Sequence, residues 1–87
     1  NGGEEFIILL NNNNLNETQR IAERIRLCIE HQPLHLENCE PIGFTVSIGV
    51  LHIHLPTTLP LQDLIIQADQ ALYQAKMQGR NRVILAS

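Results

Sequence analysis

The residues best equipped for chemistry open the chain: Asn1-Gly2-Gly3-Glu4-Glu5-Phe6, running directly into Ile7-Ile8-Leu9-Leu10. Asn-Gly and Gly-Gly pairs are hairpin-turn signals, because the tightest two-residue turns need positive φ at both central positions. Gly3 also lets a ligand approach the backbone without meeting a Cβ. Glu4 and Glu5 offer the hard oxygen ligands that Mg²⁺ and Mn²⁺ prefer, and Mg²⁺ commonly takes one or two carboxylates and completes its shell with substrate phosphates. The segment therefore reads as a hairpin tip carrying a metal and nucleotide site, suited to phosphate chemistry. A plainer reading stands beside it: two solvated glutamates next to an ordinary turn. Strand alternation sends Glu4 and Glu5 to opposite faces unless the twist at the tip reunites them, so geometry alone makes one of them a comfortable metal ligand.

The elements that must hold this tip can be read in order. Phe6–Leu10 is a strand apolar on both faces, as expected of a central strand covered by helices. Asn11–Asn14 is a polar loop, and Asn14 followed three residues later by Glu17 resembles a capping box. Ile21, Ile25, Cys28 and Ile29 fall at helical spacing, with Arg20, Glu23, Arg24 and Glu30 elsewhere on the wheel, and Pro33 ends that helix. Leu36–Pro41 reads as a short edge strand and Phe44–His54 as a longer β-branched one. Pro60 suits the first turn of a second helix, whose expected buried stripe is Leu61, Leu64, Ile65, Ala68, Leu72 and Ala75. Gly79 sits where a C-cap glycine belongs, and Val83–Leu85 forms a last strand. The resulting order is β-α-β-β-α-β, with no internal repeat, linker or second domain.

At the end of the second helix, Lys76 and Arg80 are four residues apart and lie on one side. Both donate to phosphate, lysine as a point charge and arginine as a planar fork. The plainer reading is that they complement the helix dipole, for roughly 0.3–1 kcal/mol. Asp69, seven residues before Lys76, reads as a structural hydrogen-bonding or ion-pairing residue.

Composition sets bounds. The 87 residues allow at most one domain, and 44% hydrophobic content with 3% aromatic requires a thin core of Ile, Leu, Val and Ala. A formal net charge of −3 argues against a general nucleic-acid binder, which would show a basic patch. No run approaches the ~18 apolar residues of a membrane span, and no signal peptide is visible, so the segment is expected to be soluble, with no membrane contact of its own. Cys28 and Cys39 are read as reduced cysteines. His31 and His35 straddle Pro33 while His52 and His54 share a strand face; all four are read as surface or packing residues, since no third ligand accompanies either pair.

Phe44-Thr45-Val46-Ser47-Ile48-Gly49-Val50 and Ala68-Asp69-Gln70-Ala71-Leu72-Tyr73-Gln74-Ala75-Lys76-Met77-Gln78-Gly79-Arg80-Asn81-Arg82, taken in order after Gly2-Gly3-Glu4-Glu5-Phe6, resemble the signature of the GGDEF family of diguanylate cyclases in its GGEEF variant. The spaced residues of the last two segments are far harder to meet by chance than the first five. The resemblance covers nearly the whole chain but only the C-terminal half of the family's domain. It implies an α+β fold, a ferredoxin-like, nucleotidyl-cyclase palm-like antiparallel sheet with helices. Residues 1–87 are then a partial domain truncated at the N-terminus, its first strand, the following helices and its second strand lying upstream of Asn1.

The resemblance further implies condensation of two GTP into cyclic di-GMP and pyrophosphate, as a bacterial second messenger, by two such domains meeting face to face as a homodimer. Glu4 would be a metal ligand that also helps deprotonate the 3′-hydroxyl, and Glu5 a second ligand for Mg²⁺ or Mn²⁺. Gly2 and Gly3 would pack against nucleotide, and Lys76 and Arg80 would contact phosphates. A cytoplasmic location follows, with a sensor or regulatory domain, and possible membrane anchoring, elsewhere in the parent chain. The other metal-binding Asp, the guanine-reading residues and the inhibitory product site would all lie upstream, so the 87 residues alone are expected to be inactive. Three alternatives stay open: a catalytically silent GGDEF-type regulatory or nucleotide-binding module, a plain ferredoxin-like structural module, and an unrelated metal-dependent nucleotidyltransferase. The resemblance also places the upstream strand between Phe6–Leu10 and Phe44–His54, two spacings or about 9–10 Å apart. Of the ways to meet that gap, presence of the missing strand is expected over closure of the two strands or filling by a neighbouring molecule.

Overall fold

The computed structural model describes residues 3–11 and 14–86. Its elements are β1 (Gly3–Leu10), α1 (Leu15–Glu30), β2 (Thr45–His52), α2 (Leu61–Met77) and β3 (Val83–Leu85). The sheet runs in the order β1-β2-β3 and both pairings are parallel. Helical connections explain the direction, since parallel neighbours need a crossover of a dozen or more residues, usually a helix, and each strand here is followed by one or preceded by one.

An α+β fold of two helices and a three-stranded sheet is present, and the antiparallel sheet is not. The antiparallel arrangement is the one the resemblance implies, and Leu36–Pro41, read separately as a short edge strand, is not a strand. That stretch is exposed loop, bracketed by an antiparallel bridge in which Leu34 and Ile42 exchange backbone hydrogen bonds of 2.7 and 2.8 Å, with the Cys39 amide donating to the Leu36 carbonyl at 3.2 Å inside it. All three strands point the same way, β1 and β3 each pairing in parallel with β2. The expected gap is also absent: β1 and β2 pair directly in register from Gly3 opposite Thr45 to Leu10 opposite His52. Direct pairing gives the facing N–H and C=O groups of both strands the partners that a gap would deny them.

β2 is buried on both faces, and alternation assigns its side chains to two layers. Val46, Ile48 and Val50 pack with Ala22 of α1, joined by Ile8, Ile29, Val83 and Leu85. On the other face Leu51 packs with Leu64 and Ala68 of α2, joined by Leu9 and Ile53. Gly49 belongs to that second layer, where a Cβ would run into the backbone of Ala68 and Leu72. The helices therefore cover opposite faces of the sheet.

The helix ends follow the sequence closely. Asn14 caps α1, its side chain accepting from the Glu17 amide at 3.1 Å. α2 closes in a Schellman turn: the Arg80 amide donates to the Ala75 carbonyl at 2.8 Å, the Gly79 amide to that of Lys76 at 3.3 Å, and Gly79 has φ 120°. Pro60 stands one position earlier than expected, at the N-cap. The buried stripes differ more. α1 turns Thr18 and Ala22 to the sheet and leaves Ile21, Ile25 and Cys28 exposed, while α2 buries Leu64, Ala68, Ala71, Leu72 and Ala75 and exposes Leu61 and Ile65.

Candidate functional site

The first end of β1 and the last turn of α2 meet over one carboxylate. Glu5 shares a strand face with Leu9, the face covered by α2. Lys76 Nζ donates to Glu5 Oε1 at 3.2 Å, and Arg80 Nη1 lies 3.8 Å from Glu5 Oε2. The three side chains are 42%, 30% and 47% exposed respectively, so the cluster is accessible and its ion pairs add little to stability, about 0–1 kcal/mol each. Two cations and one carboxylate, held open to solvent by a strand and a helix end, form a place where an anion can exchange partners with the glutamate.

The route by which Arg80 reaches this cluster differs from the one its spacing implies. It lies beyond the helix, not on the same helical side as Lys76, and the left-handed turn at Gly79, Arg80 and Asn81 carries it round. Glu4 points to the α1 face of β1, as strict alternation requires, and among the described residues it makes no ion pair. Gly3 opens β1 opposite Thr45, whereas Gly2 lies outside the described residues. Asp69 is exposed on α2 and, among the described residues, makes neither an ion pair nor a hydrogen bond through its side chain.

The histidines gather no further ligand. His52 ends β2 and His54 lies two residues beyond it, their ring centroids 4.6 Å apart and edge-to-face, and among the described residues the buried His52 Nε2 has no hydrogen-bond partner. Among the described residues no three His, Cys, Asp or Glu side chains converge as a metal cage would require. Cys28 and Cys39 are free and exposed.

A second polar cluster, unforeseen from the sequence, lies on the opposite side of the same turn. Arg26 of α1, only 13% exposed, reaches Glu23, which accepts from both its Nε and its Nη2. Its Nη1 donates to Asn81 Oδ1 at 2.9 Å and to the Asn81 carbonyl at 3.4 Å, with Glu30 Oε1 at 3.5 Å. Asn81 Nδ2 in turn donates to Glu30 Oε2 at 2.8 Å, and the Asn81 amide donates to Ser47 Oγ at 3.2 Å. Hydrogen bonding from Arg26 holds the Glu23 carboxyl below its ordinary range, and the same bond raises Arg26 further. The i,i+3 and i,i+4 spacing of Glu23, Arg26 and Glu30 was a legible signal for a helical ion-pair ladder. Its extension to a residue 55 positions away was not.

Comparison with known proteins identifies the family. The family model described as "Diguanylate cyclase, GGDEF domain" matches residues 1–82. The chain is 48% identical over 82 residues to the uncharacterized protein YhcK of Bacillus subtilis (strain 168), covering 94% of this chain and 23% of that protein. It is 39% identical over 85 residues to Diguanylate cyclase A of Treponema denticola, covering 98% and 22%, and 38% identical over 84 residues to an uncharacterized membrane protein of Staphylococcus aureus (strain USA300), covering 97% and 24%. The chain belongs to the GGDEF family of diguanylate cyclase domains. It spans less than a quarter of the length of each of these relatives. Among the described residues no helix is long and apolar enough to cross a membrane.

Proposed function

We propose that the full-length protein is a diguanylate cyclase, in which two GTP molecules, one on each of two facing domains, are joined into cyclic di-GMP. The observation that carries this reading is the convergence of Lys76 and Arg80 on Glu5, 71 residues away in the case of Lys76. Phosphoryl transfer depends on positioning and charge neutralisation more than on covalent help, and these three side chains supply both. Lys76 and Arg80 take the triphosphate in place of the glutamate. The 3′-oxygen of each GTP attacks the α-phosphorus of the other, both bonds from α- to β-phosphate break, two pyrophosphates leave, and the Glu4 of each domain accepts one hydroxyl proton. Gly2 and Gly3 keep the backbone low against the nucleotide.

The donor set fits a divalent ion held partly by substrate: Glu5 is one exposed carboxylate, and Glu4 stands next to it on the other face. It does not fit an ion held by these side chains alone. Glu4 and Glu5 would be the ligands of Mg²⁺ or Mn²⁺, which when bound adds charge neutralisation at the phosphates. GTP supply places this chemistry in the cytoplasm, in a parent chain with a sensor or regulatory region and, as with the S. aureus relative named a membrane protein, a membrane anchor.

The test is incubation of the full-length protein with GTP and Mg²⁺ or Mn²⁺, followed by chromatographic analysis for cyclic di-GMP and pyrophosphate. Both products are expected. GTP binding without turnover would replace this reading with that of a silent regulatory module, and neither binding nor turnover would remove both.

A further inference from the structure

Gly79, Arg80 and Asn81 form three consecutive residues with positive φ, at 120°, 65° and 48°. Glycine adopts this region freely and asparagine tolerates it, but arginine does so only where its surroundings hold it there. The Schellman bonds account for the entry to the turn. Its exit is fixed by Asn81, which is bound by every polar group it has: the amide to Ser47 of β2, the carbonyl and Oδ1 by Arg26, and Nδ2 to Glu30. Arg26 is in turn steered by Glu23 and Glu30 on its own helix. Arg80 takes part in this lattice only through its backbone, its carbonyl accepting from Arg82 Nε at 3.0 Å. Its guanidinium is left to face Glu5 on the far side of the sheet from α1.

We propose that Arg26 and Asn81 are positioning residues for nucleotide: through Asn81, α1 clamps the turn that aims the Arg80 guanidinium at the phosphate site on the other face of the sheet. The inference rests on the GTP reading above. Neither residue touches substrate. The arrangement needs an arginine at 26, because one terminal nitrogen serves the Asn81 carbonyl and amide oxygen while Nε and the second nitrogen are pinned by Glu23, a division of labour open to a planar fork and closed to an ammonium.

The test uses the full-length protein and two readouts: steady-state GTP kinetics, and the Kd of a non-hydrolysable GTP analogue with Mg²⁺. Asn81→Ala and Arg26→Lys are made in the wild-type background and in an Arg80→Ala background. In the wild type each is expected to raise KM and Kd about tenfold, the loss of one well-aimed charge-assisted contact, with kcat changed far less. In the Arg80→Ala background the same substitutions are expected to change either constant less than about twofold, as for residues acting through a shared partner. Arg20→Ala, which removes an exposed pair with Glu17 on the same helix, should change neither. Arg26→Lys keeps charge and bulk, so it decides the matter if Asn81→Ala fails to fold. Equal effects in both backgrounds, or none in the wild type, would overturn the proposal. A wild type that binds the analogue without making cyclic di-GMP would remove the cyclase reading alone and leave the Kd comparison to judge the clamp; a wild type that binds no analogue would overturn both.

Discussion

Gly49→Ala is the substitution whose cost follows most directly from the geometry. A Cβ built on Gly49 would lie 2.5 Å from the Leu72 amide nitrogen, 2.9 Å from its Cα, and against the Ala68 carbonyl oxygen. All three are helix backbone and cannot swing aside as a side chain would. Ordinary contact begins near 3.4 Å, so α2 must retreat by roughly 1 Å. The retreat loosens Leu64 and Ala68 from Leu51 across the layer they share. Overpacking of this kind costs about 1–3 kcal/mol, against which the reduced freedom of the unfolded chain returns about 0.4–1 kcal/mol. The net expectation is a loss of about 1–2 kcal/mol, or roughly 4–15 °C in the melting temperature of a domain this size. Differential scanning calorimetry of the full-length protein measures it. A second effect is expected in the same variant: a displaced α2 carries Lys76 away from Glu5, now 3.2 Å distant, so KM for GTP rises. A variant as stable as the wild type, within about 0.5 kcal/mol, would show that the strand and helix are not pressed together as described.

Three further outcomes are expected. Glu4→Gln in the full-length protein should abolish cyclic di-GMP formation while leaving far-UV circular dichroism and melting temperature unchanged; wild-type turnover would remove Glu4 from the chemistry. Lys76→Ala and Arg80→Ala should each raise KM for GTP about tenfold or more, the scale of a lost charge-assisted contact, while stability moves by less than about 1 kcal/mol because the pairs are exposed; unchanged KM and kcat in both would reduce these residues to helix-end charges. Glu23 is held below its ordinary range by Arg26, so its contribution to stability is complete at neutral pH and is lost as the pH falls below the usual carboxylate range through the lowered value. Glu23→Gln should therefore melt lower than the wild type at neutral pH, with the two curves converging in acid, and a difference that grows in acid would contradict the pairing.

Local signals in the sequence translated well into structure. Asn14 and Glu17 mark the start of α1 because a cap is a matter of a few adjacent residues, and Gly79 marks the end of α2 for the same reason. The β-branched residues of Phe44–Val50 marked a strand, which β2 is. But Phe6–Leu10, read as the central strand because both its faces are apolar, is the edge strand β1 with Phe6 and Ile7 exposed, and β2 takes the central place buried on both faces. Alternation correctly separated Glu4 from Glu5, whereas the pairing of Lys76 and Arg80 with Glu5 was not read from their spacing. What failed was non-local. Leu36–Pro41 has the apolar content of a strand, but only pairing partners make a strand, and none pairs with it as a ladder. The apolar spacing of Ile21, Ile25 and Cys28 located a stripe on α1 without saying which side of it would meet the sheet; small Thr18 and Ala22 lie there, where the backbones approach most closely. The Arg26–Asn81 clamp joins elements whose proximity depends on the whole sheet, so no window along the chain contains it.

Arg80 occupies a backbone conformation that an unbranched glycine would hold without strain, at φ 65°. Substituting glycine there relieves an L-residue penalty of about 1–2 kcal/mol, partly offset by about 0.4–1 kcal/mol of added freedom in the unfolded chain, and deletes the guanidinium in the same stroke. Thermal robustness and charge placement are thus set against each other at a single codon. On the proposed role of Arg80, selection for heat resistance alone favours losing this arginine, and selection for nucleotide capture favours keeping it. The tension also ranks the turn's three positions for an engineer: 79 is already relaxed, 81 is tolerated by asparagine, and 80 is the one place where added stability and a blunted site arrive together.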